Sequence, residues 1–116
     1  MTSLPQMFAR EADETEEQEI LIAGASRLRI QYLLEEPFAK NFIMRRFILK
    51  RDGHTSLHAH EYEQGFYVLR GRGEVTDGMM SLPLKKDSVV YVPPNQKHLV
   101  RNTGRTDFIF LSVEPD

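Results

Sequence analysis

The sequence has no cysteine, no long apolar run and no strong excess of either charge, and each lack removes a class of protein. Without cysteine there are neither disulfides nor thiolate chemistry, so any metal must be held by nitrogen and oxygen. No stretch approaches the roughly 18 consecutive apolar residues of a membrane helix. Apolar residues make up 41% of the 116, which leaves little for an apolar outer surface. The opening residues, MTSLPQMFAR, lack the basic-then-apolar pattern of a secretory signal. A cytoplasmic location is expected, and a chain of this length holds one modest core.

Charge is uneven along the chain. Residues 11–19, EADETEEQE, carry six acids and no base; from Ile20 onward there are 14 Lys and Arg against 11 Asp and Glu, a balance of +3. Residues 1–20 therefore read as a poorly ordered acidic arm and residues 21–116 as the single domain. The balance of +3 is too weak for a nucleic-acid partner, and no aromatic-basic stacking motif accompanies it.

What the chain does have is a succession of short β segments divided by turn residues. RLRIQYLL (27–34) alternates polar with apolar, and FIMRRFILK (42–50) is β-branched and aromatic up to a turn signal at Asp52-Gly53. HAHEYEQGFYVLR (58–70) reads as a strand with a bulge at Gly65. GRGEVTDG marks a hairpin, and MMSLPLK, SVVYVP, HLVRN and DFIFLSVE complete the series. About eight strands with no amphipathic helix after residue 20 argue an all-β sandwich or barrel.

Four histidines are present, His54, His58, His60 and His98. On a strand His58 and His60 project to one side, spaced for a shared ion, with Gln64 and Phe66 on the same side and Glu61 and Glu63 turned away. The alternative is two polar residues at a barrel mouth. His98 begins a later strand that a barrel can bring against the first. Three imidazoles and one oxygen ligand suit divalent Mn, Fe, Zn, Ni, Co or Cu alike. Val68 shares the ligand face, as does Val100 the face of His98; both, with Phe66, are expected in the cavity. Arg45 and Arg46 are adjacent, so one points inward. Tyr67 and Tyr91 are expected outward or in a dimer interface, and His54 exposed in its turn.

These residues resemble the small single-domain cupins. The first cupin motif, G-x5-H-x-H-x(3,4)-E-x6-G, is matched at His58, His60 and Gly71, with Gln64 in the acid's place and Asp52 in that of the first glycine. The second, G-x5-P-x-G-x2-H-x3-N, is matched at Pro93, His98 and Asn102, with Asp87 and Asn95 at its glycine positions. The likeness covers about residues 27–115. It implies a double-stranded β-helix, or jelly-roll, barrel, usually dimeric, holding one divalent metal. NFIMRRFILKRDG and VPPNQKHLVRN look most like the dioxygenase-like manganese or iron cupins, which favours those metals and a homodimer; there a fourth histidine often replaces Gln64. By the same resemblance Arg45 points inward, and Phe110 and Ser112 approach the metal.

With Gln64 for glutamate, a divalent site keeps a net charge near +2 and favours an anionic ligand. Gln64 is expected as a weak or displaceable fourth ligand; the alternative is that it only hydrogen-bonds a metal-bound water. Three functions follow: metal-dependent oxidation of a small anionic or enolisable substrate, Lewis-acid isomerase, lyase or decarboxylase chemistry at the same ion, or non-catalytic ligand sensing.

Overall fold

The computed structural model describes residues 6–116, so residues 1–5 of the expected arm lie outside the described residues. Among the described residues, nine strands follow a single 3₁₀ turn at Ala12–Glu14: β1 (Glu17–Glu19), β2 (Ser26–Leu34), β3 (Phe42–His54), β4 (Gln64–Arg70), β5 (Arg72–Thr76), β6 (Ser81–Lys85), β7 (Val89–Val92), β8 (Leu99–Asn102) and β9 (Phe108–Pro115). They form one curled antiparallel sheet in the order β6-β5-β8-β3-β9-β4-β7, with β2 also on β3 and β1 on β2. The architecture is the all-β jelly-roll barrel expected from the sequence.

Alternation builds the interior. Along β9, Phe108, Phe110, Ser112 and Glu114 are buried while Ile109, Leu111 and Val113 face outward. Cross-strand register aligns Phe47 with Phe110 and Phe110 with Val68, and Arg45 with Ser112 and Ser112 with Phe66. Leu49, Val68, Val100, Phe108 and Phe110 are almost wholly buried. Burying each stabilises the fold by about 1.5–3 kcal/mol. Phe47 stacks on Phe110 with centroids 4.9 Å apart, and Phe66 meets the Phe110 ring edge-on at 5.0 Å.

Four expectations are corrected. Glu17–Glu19 is no loose arm: it pairs with Arg29–Gln31 of β2. Asp13 bonds Arg46 at 2.7 Å, and Gln31 donates to the carbonyls of Ala12 and Thr15. Asp52-Gly53 does not reverse the chain. It bends β3, which pairs with β9 up to Leu49, with β2 up to Leu49 and again at His54 opposite Ser26, and with Arg101 of β8 at His54. His54 is thereby half-buried in a strand rather than exposed in a turn. Gly65 is regularly paired with Tyr91 and Val113, and the bulge falls between Val68 and Arg70.

The glycine positions of the two motifs share one backbone property. Asp52, Gly71, Asp87 and Asn95 all have positive φ, at 66°, 87°, 72° and 65°. Asp and Asn tolerate this region through local side-chain hydrogen bonding, which is how they stand in for glycine. Asn102 closes the second motif: its amide donates to the carbonyls of Leu49 and Thr106 and its oxygen accepts from Gly104 N–H.

Candidate metal centre

The β3–β4 connection and the start of β8 meet at an isolated bridge. His58 N–H donates to the His98 carbonyl at 3.2 Å and His98 N–H to that of His58 at 2.9 Å. The side chains of His58, His60 and His98 converge so that one ligand atom of each lies within 4.8 Å of the others. The segment carrying His58 and His60 is not a strand, as β4 begins only at Gln64. The bridge to His98 keeps His58 at the site, and a tight turn through Tyr62 returns the chain to Gln64.

Each imidazole is oriented by a backbone carbonyl two residues away. His58 Nδ1 meets the Ser56 carbonyl at 2.9 Å, His60 Nδ1 that of Tyr62 at 2.8 Å, and His98 Nδ1 that of Gln96 at 2.9 Å. A carbonyl only accepts, so every Nδ1 carries the proton and every Nε2 presents a lone pair to the common centre. His98 Nε2 is buried with no hydrogen-bond partner. His60 Nε2 faces Gln64 Oε1 at 2.9 Å, while Gln64 Nε2 donates to Ser112 Oγ at 2.8 Å. Lone pairs converging on one point without a donor are satisfied by a cation. The residues fit a divalent metal bound by three nitrogens and an amide oxygen. Burial, first, and the neighbouring His58 and His60 hold the His98 pKa below its ordinary 6.5, against the raising effects of the Gln96 carbonyl and Glu114. That favours the neutral, ligating form.

The centre opens on a cavity of about 500 Å³. Of the residues expected there, Arg45, Phe66, Val100 and Phe110 line it. Two do not. Val68 lies deeper, wholly buried in the core, and Ser112 is reached only through its bond to Gln64. Arg45 points inward and Arg46 outward to Gln31 and Asp13. The anion beside Arg45 is the chain's own Glu114, 7% exposed, which ion-pairs with it. The Arg45 guanidinium also sits 4.8 Å over the Phe47 ring, and its Nε is buried without an acceptor. Glu63 bonds Tyr91 and Glu61 is exposed, so neither joins the centre; Tyr67 and Tyr91 are exposed on the outer face.

Glu114 and Tyr62 were missed by sequence reasoning. Glu114 was within reach, since it continues the inward parity of Phe110 and Ser112 by one step. Tyr62 had no such signal: its ring stacks on His60 at 4.1 Å and 6° because of the turn. Burial, then the charge and hydrogen bonding of Glu114, push its pKa upward, so the phenol stays neutral. Ile20 and Ile22 also line the cavity, from a segment that composition alone marks as acidic arm and domain edge.

Residues 45–114 match the cupin domain family. An oxalate-binding protein of Thermotoga maritima is 30% identical over 93 residues, covering 78% of this chain and 77% of that one. The chain belongs to the cupin family. A solved Thermotoga maritima structure described as a predicted oxalate decarboxylase superposes with a TM-score of 0.85 at 25% identity, covering 93% of this chain and 98% of the other. The polyketide cyclase RemF of Streptomyces resistomycificus reaches 0.87 at 22% identity, covering 95% and 80%; at that identity the likeness concerns the fold.

Proposed function

We propose that this cupin is a metal-dependent, dioxygenase-like oxidoreductase acting on a small anionic or enolisable substrate, with its ion held by His58, His60, His98 and, weakly, Gln64. The observation that carries the reading is the convergence of three Nε2 lone pairs and one amide oxygen with no free carboxylate among them. A bound divalent ion supplies a net charge near +2 that draws an oxygen anion and lowers its pKa and, where redox-active, a route for electrons to O₂. The chain's own part is positional. Carbonyls of Ser56, Tyr62 and Gln96 fix the imidazoles, Ser112 fixes Gln64, and Phe47, Phe66 and Phe110 keep water from the reacting end. Glu114 is engaged in its ion pair with Arg45, so activation of the substrate falls to the ion. Resemblance favours manganese or iron. The reading includes a cytoplasmic homodimer with a small-molecule substrate and no nucleic-acid or membrane partner; no helix among the described residues is long and apolar enough to cross a membrane.

A second reading, Lewis-acid decarboxylation without O₂, is supported by the likeness to the Thermotoga maritima structure described as a predicted oxalate decarboxylase. Elemental analysis of protein purified without added metal tests both, and is expected to find manganese or iron. Oxygen-electrode assays then separate them, since only the first consumes O₂ with a redox-active ion. Protein that neither carries nor takes up a transition metal overturns both.

A further inference from the structure

The cavity is much larger and more apolar than a small diacid at the ion requires. At about 500 Å³ it falls within the roughly 300–1,000 Å³ of clefts that enclose drug-sized molecules. Leu28, Ile30, Phe47 and Phe110 line it as an apolar wall, with Ile30 against Phe47 and Phe47 against Phe110 in register, and Ile22, also lining it, is 53% exposed. Oxalate would leave that wall in contact with water.

The polar side is equally specific. Register places Arg45 beside Ser112, whose hydroxyl holds Gln64, so the Arg45–Glu114 pair adjoins the metal end. Glu114 neutralises Arg45 yet leaves guanidinium N–H groups over, Nε–H among them without an acceptor. Packed hydrophobic side chains in place of a buried ion pair are often as stable or more so, so the pair is a poor device for stability alone. It suits an uncharged oxygen, a hydroxyl or carbonyl, which takes a hydrogen bond from Arg45 without adding charge.

We infer that the natural ligand is a ring-sized, largely apolar molecule. It carries a chelating pair of oxygens at one edge, lies against the wall of Leu28, Ile30, Phe47 and Phe110, and offers a further neutral oxygen to the Arg45–Glu114 pair. The inference rests on the proposed metal site for the chelating edge, but the wall and the ion pair exist without it.

Calorimetric titration of manganese-loaded full-length protein with three probes tests this: oxalate, 3-hydroxy-2-naphthoate and 3,7-dihydroxy-2-naphthoate. The naphthoates are expected to bind at least tenfold more tightly than oxalate, and the dihydroxy probe more tightly than the monohydroxy. Arg45→Met/Glu114→Gln, which removes the pair without stranding a charge, erases the difference between the naphthoates and leaves oxalate within threefold. Ile30→Phe, which fills the wall, weakens both naphthoates tenfold or more and spares oxalate. Should either variant fail to fold, Ile22→Trp at the exposed rim gives the same naphthoate-selective loss. Oxalate binding as tightly as the naphthoates, or variants that weaken all three probes equally, overturns the inference. Naphthoate binding that persists in protein unable to take up metal sinks the metal site and leaves the wall standing.

Discussion

Gln64 is the residue at which this centre differs most from a carboxylate-bearing one. Its Oε1 faces His60 and its amide is held by Ser112, so it is presented to an ion and easily given up. Gln64→Glu is expected to bind metal tenfold or more tightly and to weaken anion binding, since the site loses one unit of positive charge. Gln64→Ala is expected to lower affinity several-fold while keeping the histidine-bound ion; competition with a chelating dye measures both. If Ala leaves affinity untouched, Gln64 is not a ligand. His98 sets the behaviour of chelated protein. Its folded pKa lies below 6.5 because it is buried, so below pH 6.5 the unfolded chain takes up a proton that the folded chain refuses. Its contribution to stability is whole above about pH 6.5 and falls as pH drops toward the folded pKa. Urea midpoints from about pH 7.5 to 5.5 are expected to fall more steeply in the native chain than in His98→Gln.

Among elements, the turn after β4 is the most exacting. Gly71 has φ +87°, and a Cβ there would collide with the Asp107 carbonyl and lie 3.1 Å from Phe108 Cα. Left-handed backbone costs an L-residue roughly 1–2 kcal/mol before any collision. Gly71→Ala is therefore expected to destabilise the fold by about 2 kcal/mol or more, read from equilibrium denaturation. β9 and β4 were legible because one face of each is buried and alternation records it, while β6, where only Leu84 is buried, was marked by the turns that flank it. β1 was not, since EQE buries nothing and is held by backbone pairing and one exposed ion pair, Glu17 with Arg29. Asp52-Gly53 misled for a physical reason: the pair reports a positive φ, which Asp52 has at 66°, and a positive φ serves a bend within β3 as well as a reversal. The parity that placed Gln64 beside His58 and His60 assumed one strand, whereas a turn brings Gln64 Oε1 to within 2.9 Å of His60 Nε2.

For the whole molecule, the outer face of β9, β4 and β7 is apolar in a way the interior does not require. Tyr67, Val89, Tyr91 and Val113 are 43%, 73%, 63% and 41% exposed on adjoining strands. Exposed apolar patches favour association, and the homodimer of the proposed function is expected to form through this one. Sedimentation equilibrium should give a dimer for the native chain and a monomer for Val89→Lys, with metal content unchanged. A dimer that survives Val89→Lys and Tyr91→Lys together assigns the contact elsewhere.

The acidic segment that runs through β1 ends in Ile20 and Ile22, which line the cavity. With the proposed ion bound, an incoming anion meets a positive centre, and the exposed carboxylates of Glu16 and Glu19, which lead into Ile20, oppose its approach. Added salt shortens the reach of such a field, to about 10 Å at 0.1 M. Anion capture followed by stopped flow should accordingly quicken as ionic strength rises, the reverse of ordinary attraction to a cationic site, and replacing Glu16 and Glu19 with Gln should remove that dependence.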